Sequence, residues 1–170
     1  GNKITNYLKT GQNLVDVQES IFKVANDTRT PLQAVATLYG RLEPATRGIV
    51  TSSSELLKIT DTINKAFVVS GATGEEAAAS VVQLAQALGA GALRGEEFNS
   101  INEQAPRIMQ GIAESMGVAR GELKTLAAQG KLTTDVVIKA IQDMGSAVDA
   151  EFSKMNATFG QKGTDRKSVV

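Results

Sequence analysis

The 170-residue sequence contains no cysteine, no histidine and no tryptophan. Without cysteine there are no disulfides, thiolate nucleophiles or thiolate metal sites, and the redox compartment cannot be read. Without histidine, Ser-His-Asp chemistry and imidazole-ligated zinc are excluded as well. Aromatic residues make up only 4% of the chain, so a core must be built from Leu, Ile, Val, Ala and Met. Such side chains suit closely packed helices better than sheets, which favour β-branched and aromatic residues. Neither sign of charge is in excess, with 18 Lys plus Arg against 18 Asp plus Glu. A dedicated nucleic-acid module gains its affinity from a basic surplus, which is missing here. No apolar run approaches the roughly 20 residues needed to span a bilayer, and the first residues do not resemble a signal peptide. Prolines number only three, so most helix boundaries must be set by glycine and by caps.

What is present fits one ordinary domain. A compact chain of this length buries roughly 70% of its unfolded surface, enough for a core without staples. The 42% apolar and 21% charged content lies near globular averages.

Residues 1–11 (GNKITNYLKTG) are polar with isolated apolar positions and are read as an N-terminal arm or short helix closed by Gly11. From Gln12 to about Asn26, Leu14, Val17, Ile21 and Val24 recur at helical spacing. Thr30 and Pro31 predict an N-cap and first helical position for a helix to about Arg41, with Leu32, Val35, Ala36, Leu38 and Tyr39 facing inward. Pro44 and Gly48 then interrupt, with Leu42, Ala45 and Ile49 as a possible short extension. The hydroxyl run Thr51–Ser54 before Glu55 predicts a cap and a helix over about 53–70, buried along Leu56, Ile59, Ile63, Phe67 and Val68. Thr73 caps a helix over about 74–88, whose alanines predict close approach and the deepest burial in the chain.

The stretch from Gly89 to Ile108 carries the main connections. Gly89-Ala90-Gly91 ends the preceding helix with one of its glycines in the left-handed closing position, Gly95 opens a helix with Phe98, Ile101 and Ala105 on one face, and Pro106 predicts a kink or fresh start. A segment with Ile108, Met109, Ile112 and Met116 stops at Gly117, and a short helix with Leu123 and Leu126 stops at Gly130. Thr133 or Thr134 caps a final long helix bearing Val136, Val137, Ala140, Ile141, Met144, Val148 and Phe152, with Gly145 as a candidate bend. After Gly160, QKGTDRKSVV loses periodicity, so 161–170 is read as a disordered polar tail and 12–160 as the domain. No heptad pattern persists long enough for a coiled coil.

Candidate chemistry resolves mostly into helix chemistry. Gly89-x-Gly91-x-x-x-Gly95 departs from a dinucleotide fingerprint by one position and follows a helix rather than a strand. Near Lys167-Ser168, Gly163 does not directly precede the lysine, so there is no phosphate-binding loop. Glu75/Glu76 and Glu96/Glu97 are adjacent carboxylates, but neighbours on a helix point about 100° apart, and all four fall in first turns where negative charge is favoured. Met109, Met116 and Met144 are either an adaptable binding surface or, on their spacing, core filler. Lys58, Lys65, Arg94 and Arg107 are read as solvated charges, with contact to DNA as the alternative. No catalytic, cofactor-binding or metal-ligating residues are identified.

Three blocks in order carry a resemblance: LYGRLEPAT (38–46), LLKITDTINKAFVVSGATGEEAAASVVQLAQALGAGALRGEEFNSINEQAPRI (56–108), and GVARGELKTLAAQGKLTTDVVIKAI (117–141) followed by EFSKMNATFGQ (151–161). Over about residues 12–161 the chain resembles the N-terminal domain of tape measure proteins of long-tailed bacteriophages and prophages. The residues that carry the likeness are Leu93, Arg94, Gly95, Glu96 and Glu97, then Asn102, Glu103, Gln104, Ala105 and Pro106, then Gly130, Lys131, Leu132 and Thr133. The resemblance implies a structural role in tail assembly and length determination. It also implies a place in the tail lumen, or in the bacterial cytoplasm during assembly, with no enzyme activity and no cofactor. Expected partners are further copies of the chain and tail proteins of the tube, tip or baseplate, or assembly chaperones, without specific nucleic-acid binding. A ruler would need extended helix at about 1.5 Å per residue. Punctuation every 10–18 residues predicts instead an all-α, compact multi-helix bundle of seven or eight helices. The measuring part is therefore expected elsewhere in a longer parent chain. The rival reading is a helical protein-binding adaptor unrelated to tails.

Overall fold

The computed structural model describes the backbone of residues 2–169 and the side chains of residues 15–155. The arm at 1–11 and the tail at 161–170 lie outside the residues with described side chains. Among the described residues the architecture is all-helical: α1 (Asn2–Thr28), α2 (Leu32–Ala45), α3 (Ser53–Val69), α4 (Gly74–Ala90), α5 (Gly95–Gln104), α6 (Pro106–Met116), α7 (Leu123–Ala128) and α8 (Thr134–Val169). One 3₁₀ turn, Arg120–Glu122, leads into α7, and strand pairing is confined to two isolated bridges.

The punctuation works by identifiable backbone bonds. Arg29 closes α1 in the left-handed region at φ 54°, and the Thr30 N–H reaches back to the Ala25 carbonyl at 3.0 Å. Gly117 does the same for α6 at φ 71°, with Val118 N–H on the Ala113 carbonyl at 3.0 Å. Both are the six-to-one closure that satisfies an orphan carbonyl of a last turn. At α3 the Ser52 hydroxyl accepts the Glu55 N–H at 3.1 Å, while the Glu55 carboxylate accepts the Thr51 N–H at 3.1 Å. This is a capping box displaced by one residue, and such a cap is worth about 1 kcal/mol.

Four details differ from the sequence reading. Pro31 sits at the N-cap of α2 rather than inside it, and the Thr30 hydroxyl pairs with the Thr28 hydroxyl at 2.9 Å instead of capping. On α2 the buried residues are Ala34, Val35, Leu38 and Leu42, while Leu32 and Ala36 are exposed. At about 100° per residue these two lie roughly 105° and 145° from the middle of that stripe. Pro44 remains inside α2; the bond it cannot make would have gone to the exposed Gly40, whose carbonyl water can satisfy. Finally, α3 rather than α4 is the central element.

Helix α3 packs on α1, α2, α4, α6 and α8, and it buries Leu56, Ile59, Thr60, Thr62, Ile63, Asn64, Ala66 and Phe67. Its inward hydroxyls are satisfied locally, as with Thr60 donating to the Leu56 carbonyl at 2.9 Å. Helix α4 opens with exposed Glu75 and Glu76 and half-buried Ala77 and Ala78, so its burial begins only at Ser80. The main core joins α2 through α8. A second, smaller cluster of Ile21, Val24, Ala25 and Val35 seats α1 separately. Helix α8 stays helical through Gly145, which packs opposite Thr62, and it also buries Ile138, a residue outside the predicted stripe.

Candidate functional site

Two of the three groups of residues that carry the family resemblance meet where α4 ends and α8 begins. Gly91 terminates α4 at φ 109°, and the chain then runs beside residues 132–134. Leu93 N–H donates to the Leu132 carbonyl at 2.8 Å, and Thr134 N–H donates to the Gly91 carbonyl at 3.0 Å. Both leucines are fully buried. The Thr134 hydroxyl, itself buried, donates at 2.6 Å to the Leu88 carbonyl in the last turn of α4, which otherwise takes only the longer 3.3 Å bond from the Gly91 N–H. A helix start thus finishes the end of a helix 46 residues earlier in the chain.

Around this junction, Gly130 at φ 72° presents its backbone to Arg94; a Cβ there would lie 3.9 Å from the guanidinium. Thr133 precedes α8, its carbonyl accepts the Val137 N–H at 3.0 Å, and its hydroxyl donates to Asp135. That hydroxyl, followed by first-turn backbone N–H groups, holds the Asp135 carboxyl below its ordinary value. Glu96 and Glu97 fill the first turn of α5, as Glu75 and Glu76 do in α4, and Lys131 is exposed.

The structure therefore gathers Leu93, Arg94 and Gly95 with Gly130, Leu132 and Thr133. The middle group sits at the far end of α5, roughly 15 Å away at 1.5 Å per residue. There Asn102 accepts from Arg120 at 3.2 Å, Gln104 donates to Glu76 at 3.5 Å, and Ala105 is buried at φ −134°. Pro106 starts α6 afresh at its first position. Glu103 points to solvent. These residues lie at the connections between α4, α5, α6 and α8; Asn102 and Gln104 bond to Arg120 and Glu76, whereas Glu103 and Lys131 face solvent.

A second feature concerns the basic residues. Lys65 and Arg107 are largely covered rather than solvated, Lys58 is exposed as expected, and all three reach from α3 and α6 to two acids on α8. Lys58 pairs with Asp149, Lys65 with Asp149 at 3.2 Å and with Asp61 at 2.9 Å, and Arg107 Nε with Glu151 at 2.7 Å. Lys65 also lies 5.3 Å from the Phe152 ring centroid. Burial pulls the Lys65 ammonium down, but the hydrogen bonds and charges of Asp61 and Asp149 outweigh it and leave it raised. For Asp149 burial pushes the carboxyl up, and hydrogen bonds from Lys58 and Lys65 overcome that, so it titrates below its ordinary value. Side-chain periodicity gave no sign of this, because the partners on α8 lie 44 to 91 residues away in sequence. Met109 and Met144 fill the core and Met116 is half-buried against it.

The third feature is an apolar groove of about 470 Å³ beside the α1–α2 corner, floored by Pro31, Phe67, Ala77, Val81, Phe152 and Met155. On the other side of that corner Phe22 and Leu32 stand 61% and 48% exposed. The sequence reading missed both as surface features: it followed only the inward stripe of α1, which passes Phe22 by, and it turned Leu32 inward on α2. No group of side chains suited to holding a metal ion occurs among the described residues, and no described helix is long and apolar enough to cross a membrane.

No curated protein and no solved structure shows a significant match to this chain. A family model described as "Tape measure protein" matches residues 1–167. That match reaches every helix described above, ending two residues short of the end of α8, and includes the α4–α8 junction and the α8 ion pairs. The chain belongs to the tape measure protein family.

Proposed function

We propose that this chain is an assembly module at the N-terminal end of a longer tape measure protein, making protein contacts rather than measuring length. The family is structural, and its role is determination of phage tail length within the virion. What supports the narrower reading is the return of α2–α7 on itself. If residues 32–128 were one continuous helix they would span about 145 Å at 1.5 Å per residue. Instead they fold into six helices around α3, closed by the bonds between 91–93 and 132–134. Length stored this way cannot register tube subunits one by one. The packed helices do present fixed surfaces, which suits contacts with tail-tip, tube or chaperone proteins, or with further copies of the chain.

Co-expression with the tube, tip and tail-assembly chaperone proteins of the same phage tests this reading. The domain should co-purify with at least one of them, and a surface-charge reversal should release it without loss of helicity. Recovery of the folded domain alone, with the rest of the parent chain capturing every tail partner, would overturn the proposal.

A further inference from the structure

The α1–α2 corner carries a projection and a recess side by side. Three of the phenylalanines with described side chains, Phe67, Phe98 and Phe152, are buried, whereas Phe22 is 61% exposed. Leu32 adjoins it at 48%, and the two share a shallow depression with Ala25, Asn26, Arg29 and Thr30. Arg29 and Thr30 are also the near wall of the apolar groove that continues over Phe67, Val81 and Phe152. One short segment therefore separates an unpartnered apolar knob from an apolar hole large enough, at about 470 Å³, to take it. Scattered single apolar residues on a surface need no explanation, but a knob adjoining a fitting hole does.

We propose that the occupant is a second copy of this chain, related by a two-fold axis through the Arg29–Thr30 segment. In a two-fold contact each surface meets its own copy, so residue i meets j and j meets i. Phe22 and Leu32 of each chain then enter the groove of the other. The rim charges support this occupant over an unrelated one. Asp27 and Arg29 carry opposite charge, both line the groove, and they stand two residues apart on the wall nearest the axis. The two-fold places each Asp27 against Arg29 of the second copy, giving two equivalent ion pairs around a desolvated apolar centre. Asp27 already pairs with Lys23 of its own helix through Oδ2 at 2.5 Å, so the second cation would be taken by its other carboxylate oxygen. Arg29 is also the one described non-glycine residue with positive φ, so the guanidinium is held at this spot despite a conformation that glycine would adopt without strain. The inference rests on the reading of the domain as a contact module. Its test is independent, since association of the isolated chain is measured without any tail protein.

Sedimentation velocity of the 170-residue chain from low to several hundred micromolar should show a concentration-dependent dimer. Phe22→Glu should weaken it at least about tenfold, as expected for an aromatic anchor at the centre of an interface. The exposed position keeps the circular dichroism spectrum unchanged. The chain has no cysteine of its own, so Phe22→Cys protein mixed with Thr73→Cys protein should form the mixed disulfide under mild oxidation. A monomer throughout that range would overturn the proposal. So would a dimer indifferent to Phe22→Glu that gives no mixed disulfide.

Discussion

Where α6 crosses α8, the absent side chain of Gly111 decides how closely the helices approach. A Cβ built at that position would lie 2.2 Å from the Met144 Cε, 2.8 Å from its Sδ and 3.4 Å from its Cβ. Carbon atoms prefer about 3.5–4.0 Å, so Gly111→Ala must evict the end of the Met144 side chain from its slot. Met144 is 5% exposed and has little room to yield. Overpacking of this kind costs about 1–3 kcal/mol. Against it stands the gain of alanine over glycine within a helix, about 1 kcal/mol. The net expectation is a loss of about 1 kcal/mol, read as a lower urea midpoint at unchanged slope. In a Met144→Ala background the collision is gone and only the helix gain remains. Gly111→Ala should there stabilise by about 1 kcal/mol, giving a coupling of about 2 kcal/mol. Met144→Ala itself costs about 2–5 kcal/mol through its cavity. If Gly111→Ala stabilises equally in both backgrounds, the Met144 side chain does not pack against Gly111 as described, and the argument fails.

Three further outcomes follow from other parts of the fold. At low concentration, where the chain is monomeric, Arg29→Gly should raise the thermal midpoint, corresponding to about 0.5–1 kcal/mol, because it relieves the left-handed conformation of a non-glycine residue; a lower midpoint there would count against that assignment. Thr134→Val removes the hydroxyl donated to the Leu88 carbonyl and should cost about 1–2 kcal/mol by denaturant unfolding, whereas Thr133→Val at the neighbouring half-buried position should cost less. Because the Asp149 carboxyl is held below its ordinary 3.8, its contribution is present above that pH and is lost as pH falls through the lower folded value. The difference in thermal midpoint between the native chain and Asp149→Asn should therefore hold at pH 6 and shrink below about pH 4; a gap that persists in acid would contradict the ion-pair account.

Much of the bundle is legible in the order of glycines and hydroxyls, because these residues act on the chain next to them. Gly91, Gly117 and Gly130 end helices where the sequence predicts, and the hydroxyl run before Glu55 caps where it predicts. Apolar spacing gives the inward faces of α3, α5 and most of α8 for the same reason. Rotation about a helix axis is a property of the neighbour, however, and Leu32 and Ala36 faced inward only on paper. The depth of a helix is likewise set by how many others surround it, so alanine-rich α4 lost the central place to α3. The α8 ion pairs and the Thr134–Leu88 bond join residues far apart in sequence, where local patterning carries no signal. The second apolar face at Phe22 was hidden by the stronger stripe of Val17, Ile21 and Val24 on the same helix.

The central claim is that this domain contributes contacts and not contour length to its tape measure protein. Its most direct test is electron microscopy of tails from a phage whose gene carries the domain twice in tandem. Tails of unchanged length are the predicted result. Tails longer by about 250 Å, the span of the added residues as continuous helix, would contradict it.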